Sequence, residues 1–95
     1  MPYLVVRKKV PNFPAWLQRY NRPESLHLRQ KLGIAKQHLL RNPDDATDFV
    51  IVIEVDDVAA AREAIEAPAL RVLIAQGPTL QRTVYYPNGE ERRTN

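Results

Sequence analysis

Phe49-Val50-Ile51-Val52-Ile53-Glu54-Val55 is the stretch whose reading decides the fold. It is rich in β-branched residues and free of Gly and Pro. Asn42-Pro43-Asp44-Asp45 precedes it and Asp56-Asp57 follows it, so it reads as a strand between turns. Side chains alternate along a strand, which puts Phe49, Ile51, Ile53 and Val55 on one face and Val50, Val52 and Glu54 on the other. Both faces are mostly apolar, so both need a cover. Helices of the same chain can supply one cover. The other is harder to find in a chain of 95 residues, which buries only about 60–65% of its unfolded surface.

Working outward, the segment from Ile34 to Arg41 is expected to be the hairpin partner of this strand. Tyr3–Val10 is a further strand, stopped by Pro11. Asn12 caps a helix whose apolar stripe is Trp16, Leu17 and Tyr20, and Arg22-Pro23 interrupts it. A second helical stretch runs from about Glu24, through Leu28 and Leu32, to a stop at Gly33. Beyond the central strand, Asp56-Asp57 caps a helix with Val58, Ala61 and Ile65 on its buried side. Ala67-Pro68 kinks or restarts that helix, Leu70, Leu73 and Ile74 continue it, and Gly77-Pro78 ends it. Thr79–Tyr86 is the last strand, with Leu80, Val84 and Tyr86 opposed to Gln81, Thr83 and Tyr85. Pro87-Asn88-Gly89 then turns the chain into a polar tail, so residues 1–86 form one domain and residues 87–95 a C-terminal tail.

The order βαββαβ predicts an α+β, ferredoxin-like fold with a four-stranded antiparallel sheet and its helices on one face. The open face then meets water in a monomer. A second copy of the same sheet is the simplest cover, and two sheets face to face make a homodimeric α+β barrel with an interior cavity.

Composition narrows the function. The chain is 44% hydrophobic and 26% charged and has no Cys, which excludes disulfides, thiolate catalysis and Cys-ligated metals. No apolar run approaches the ~20 residues of a membrane span and Met1-Pro2-Tyr3 opens no signal peptide, so a cytoplasmic protein without a membrane partner is expected. His27 and His38 stand apart with no metal-ligand spacing, and no Gly-rich phosphate loop appears, so neither metal nor cofactor is expected. Residues 1–41 carry nine Lys/Arg against the single acid Glu24, whereas residues 42–95 carry five Arg against ten acids. The basic residues are scattered and lack aromatic interleaving, so no nucleic-acid partner is expected; mutual attraction of the two halves explains the same asymmetry.

The chain resembles the dimeric α+β barrel superfamily, which includes antibiotic-biosynthesis-type monooxygenases, polyketide cyclases and many small bacterial proteins. The resemblance spans about residues 3–86. It rests on Val10-Pro11-Asn12-Phe13-Pro14-Ala15-Trp16, on Gly33, and on Leu40-Arg41-Asn42-Pro43-Asp44-Asp45 before the core strand. It continues in Glu54-Val55-Asp56-Asp57-Val58-Ala59-Ala60-Ala61 and in Ala67-Pro68-Ala69-Leu70-Arg71 ahead of Gly77. These are scaffold residues, so the resemblance implies the architecture and leaves the reaction open.

If Leu4, Val6 and Val10 face the helices, the open side carries Tyr3, Val5, Arg7 and Lys9, joined by Val50, Val52 and Glu54, with His38 and Tyr85 from the neighbouring strands. His38 is the candidate acid–base group, or else an edge-strand His in solvent. Tyr85 is the candidate donor to a substrate oxygen, or else packing. Arg7, Val50, Val52, Glu54 and His27 are candidate ligand contacts; Glu54 reads as a carboxylate of raised pKa, as one paired with Arg7, or else as a salt bridge at the rim. Three functions compete. The first is a homodimeric barrel binding a hydrophobic or aromatic small molecule. The second, implied by the superfamily, is a cofactor-independent cyclase or monooxygenase-like enzyme using His38 and Tyr85. The third is a ferredoxin-like regulatory or RNA-binding module, which the valines at 50 and 52, where paired aromatics are needed, argue against.

Overall fold

Prolines set the boundaries of most elements. In a computed structural model describing residues 2–87 and the backbone of 91–93, β1 (Tyr3–Lys9) ends ahead of Pro11, and two helices open on a proline, α2 (Pro23–Lys31) and α4 (Pro68–Ala75). A proline at the first helical position gives up an N–H that had no intrahelical partner. Between them, α1 (Phe13–Tyr20) is capped by Asn12, whose side chain accepts from the Ala15 N–H at 3.1 Å. The cap of α3 (Val58–Glu66) is Asp57, accepting from the Ala60 N–H at 3.2 Å. Gly33 leaves α2 with φ +74°, a left-handed conformation that strains any side-chain-bearing residue. The turn drives Ile34 into the core at 2% exposure, so β2 (Gln37–Arg41) starts three residues later than the expected Ile34.

β3 (Asp48–Glu54) and β4 (Gln81–Tyr85) complete the expected antiparallel set, ordered β2-β3-β1-β4. A short β5 (Glu91–Arg93) extends the sheet beyond β4, so three residues of the segment read as a tail carry a strand. Past Pro87, the expected turn at Asn88-Gly89 lies outside the described residues, as do residues 90, 94 and 95. The expected strand residue Leu80 instead precedes β4 and is 61% exposed. The helices all lie on one face of the sheet. Among the described residues no helix is long and apolar enough to cross a membrane.

Register assigns the faces. Leu4 lies opposite Ile53, Val6 opposite Ile51 and Lys8 opposite Phe49, while Val6 also opposes Val84 on the other side. These residues meet the helices. Phe49 is 1% exposed and receives Phe13 edge-on at 5.0 Å and Trp16 at 4.5 Å between ring centroids, which anchors α1 to the central strand. Ala61, Ala64 and Ile65 bury α3, and Leu70 buries α4. Phe49→Ala is expected to cost about 3–5 kcal/mol, because the cavity it leaves lies beneath two rings that cannot both collapse into it. A urea titration against the parent chain measures this directly.

Candidate functional site

The same alternation puts Arg7, His38, Val50, Val52, Glu54 and Tyr85 together on the sheet face away from the helices: Val5 lies opposite Val52 and Tyr85, Arg7 opposite Val50, and His38 opposite Val52. Their ion pairs differ from the expected ones. Arg7 donates to Asp48 through Nε and Nη2, at 3.2 and 3.1 Å, and Asn42 adds a third donor to that carboxylate. Glu54 is paired with His38, Nε2 to Oε2 at 2.8 Å. The bond to His38 holds the Glu54 carboxyl below its ordinary range, so the alternatives of a raised pKa and of a pair with Arg7 both fall. The reason is register. Tyr3, not Arg7, stands opposite Glu54, and His38 reaches it diagonally from β2. His27 is exposed on α2.

The cavity in this structure is on the other side of the sheet, and none of these residues lines it. It has a volume of about 130 Å³ and opens between the helix pair α1–α2 and the pair α3–α4. Val6, Ile51 and Ile53 form its floor, Ile65, Leu70 and Leu73 one wall, and Trp16 and Tyr20 the other. The Trp16 and Tyr20 rings stack at 4.8 Å. Tyr20 donates its hydroxyl to Gln37 Oε1 at 2.6 Å, and Gln37 donates to the Ile34 carbonyl at 2.7 Å. Burial holds the Tyr20 phenol above its ordinary range, partly offset by Arg29. Gly77 leaves room at the mouth for Arg19, because a Cβ there would collide with the guanidinium.

Cations dominate the polar lining: Lys8, Arg19, Arg22, Arg29 and Arg82, against the exposed acid Glu24. Lys8 shares the parity of Leu4 and Val6, so the pleat carries it inward to 5% exposure, 5.7 Å from the Trp16 ring. Desolvation first, then Arg82 and Arg19, bring its pKa down to about 8. Arg29 lies 3.9 Å over the Tyr20 ring and donates through Nη1 to the Tyr20 carbonyl at 2.8 Å. Its Nε is buried with no hydrogen-bond partner among the described residues. Sequence reasoning put Trp16 and Tyr20 on the apolar stripe of the first helix without naming either as a site residue, and passed over Lys8, Arg29 and Arg82. The available signal was a lysine in phase with the buried residues of β1, opposite an arginine in phase with Val84 on β4.

No family model matches the chain, and no curated protein matches its sequence. Solved structures match it in fold. One is a proposed antibiotic biosynthesis monooxygenase from Deinococcus radiodurans, with TM-score 0.66 and 15% identity over 100% of this chain and 99% of that one. Another is SnoaB, a cofactor-independent oxygenase from Streptomyces nogalater, with TM-score 0.61 and 20% identity over 93% of each chain. HapK from Hahella chejuensis gives 0.60 and 14% over 98% and 99%. The chain therefore shares its fold with these solved structures, the ferredoxin-like α+β fold that the sequence led us to expect.

The folded chain disfavours the charged form of Lys8. Between pH 8 and the unfolded value near 10.5, the unfolded state binds more protons, so this lysine makes stability rise with pH across that window. Lys8→Met is expected to stabilise the protein at pH 7, by up to about 3 kcal/mol, and to abolish that rise. Urea unfolding at pH 7, 8.5 and 9.5 measures both effects.

Proposed function

We propose that this protein binds a small aromatic molecule in the cavity between its sheet and its helices, and that it does so as a homodimer joined through its open sheet faces. The cavity carries the first part. About 130 Å³ walled by a Trp16–Tyr20 stack and branched aliphatics suits one aromatic ring, since an apolar cavity of about 150 Å³ is known to accept benzene, and the mouth lets a larger ligand extend outward. The fold it shares with a cofactor-independent oxygenase supports a small-molecule role.

For the second part, Val5, Val50 and Val52 form a half-buried row on the open face, continued by Leu40 at 56% and Tyr85 at 38% exposure. A self-complementary sheet face of this kind is covered by its own copy around a two-fold axis. Candidate ligand contacts at Arg7, Val50, Val52, Glu54, His38 and Tyr85 would then belong to the space between two copies, not to the helix-side cavity.

Cofactor-independent oxygenation or cyclisation is the second reading, and Lys8 favours it. An amine whose pKa lies at about 8 on an apolar cavity wall is placed to accept a proton from an acidic phenol or ring carbon. His38 and Tyr85, on the far face, cannot reach a ligand in that cavity.

Trp16 is the chain's single tryptophan and lines the cavity, so its fluorescence reports occupancy. Titration with 2-naphthol is expected to quench it saturably with one site per chain. Filling the wall with Leu73→Phe is expected to weaken binding at least tenfold; quenching that does not saturate, or that survives this change, overturns the cavity reading. Sedimentation equilibrium at micromolar concentration is expected to give twice the mass of the chain. Val52→Asp is expected to give a monomer or an unfolded chain, because it buries an unpaired charge. A wild-type monomer would sink the dimer.

A further inference from the structure

We propose that the natural ligand of the helix-side cavity is an aromatic carboxylate whose acid group sits at Lys8. This rests on the cavity reading above and adds the chemical class of the ligand.

The argument starts from the sheet. Lys8 and Arg82 are directly opposed across β1 and β4 on the helix-facing side. Like charges directly opposite one another repel, and burial deepens the cost. The helices aggravate it: α1 brings Arg19 close enough to act on Lys8, and Arg22 and Arg29 add further positive charge around the cavity. A compensating acid would be expected in such a place. The one acid in the lining, Glu24, is exposed at the rim and pairs with neither Lys8 nor Arg29 among the described residues. Three carboxylates are engaged on the open face, Asp48 with Arg7, Asp45 with Lys9 and Glu54 with His38.

Packing does not account for Lys8. Arg29 has a structural role, stacking on Tyr20 and donating to its carbonyl, yet keeps a buried Nε without a partner. Lys8 touches the Trp16 ring and, among the described residues, has no hydrogen bond and no carboxylate; a Met or Leu there would continue the apolar row of Leu4 and Val6. A bound anion supplies the missing counter-charge through a charge-assisted hydrogen bond. The apolar floor and the Trp16–Tyr20 wall take the ring that carries it.

2-Naphthoate and 2-naphthamide have the same shape and differ in charge, so the pair separates the two claims. With the wild-type protein at pH 7, read by Trp16 fluorescence and checked by calorimetry, naphthoate is expected to bind at least tenfold more tightly than the amide. The preference is expected to shrink between pH 7.5 and 9.5 as Lys8 loses its proton. The other groups facing Lys8 do not produce such a change: guanidinium groups keep their charge across this range, and burial holds the Tyr20 phenol above its ordinary range. Lys8→Met, its folding verified by its thermal midpoint, is expected to lose the preference for the acid. Equal binding of acid and amide by the wild type would overturn the carboxylate while leaving the aromatic cavity standing. A preference that persists in Lys8→Met would overturn the role of Lys8. Binding of neither probe would overturn the cavity reading and this inference together.

Discussion

Two-residue alternation in the antiparallel pair β1–β3 is the constraint on which the rest of this structure depends. Once Leu4 is set against Ile53, every residue of both strands is committed to a face. One parity supplies the core and the cavity floor, and the other supplies the open face. The same rule brings Lys8 into the apolar layer, because a strand cannot turn one side chain outward without a bulge. The depressed pKa of Lys8, its contact with Trp16 and its opposition to Arg82 all follow from that single commitment.

The two faces solve their electrostatics differently. On the open face, cations of the N-terminal half meet acids of the C-terminal half, Arg7 with Asp48 and Lys9 with Asp45, and His38 hydrogen-bonds Glu54. The charge asymmetry along the chain is therefore partly an internal attraction between neighbouring strands. These pairs lie near water and contribute little stability individually. On the helix face, Lys8 and Arg29 are buried and, among the described residues, neither meets a carboxylate. Charge there is costly to the free protein and useful to an anionic ligand, the usual trade between stability and binding at a site.

Helix pairing shapes the cavity as much as the sheet does. Pro23 and Pro68 each split what could have been one longer helix into two short ones, and the cavity lies between the two pairs. The gap between them is closed at the bottom by Ile51 and Ile53 and edged by Gly77, which makes space for Arg19. The aromatic cluster of Phe13, Trp16, Tyr20 and Phe49 builds one wall.

Local chemistry was enough to read the elements, their order and the two faces. Asn12 and Asp57 announce helix starts because a short polar side chain beside free N–H groups has one favoured use, and Gly33 announces a stop because it alone tolerates φ +74° cheaply. Phe49–Val55 announces a central strand by its composition, and parity correctly gathered Arg7, His38, Val50, Val52, Glu54 and Tyr85 on one side. Only the tertiary structure decided which carboxylate each cation meets, since Arg7 finding Asp48 and His38 finding Glu54 depends on register between strands distant in the chain. It alone showed the strand at Glu91–Arg93, whose polar residues carry no periodic signal and are ordered by pairing with β4. It alone placed the cavity beneath the helices, because a void arises from the distance between packed elements, and no pattern along a single chain encodes that distance.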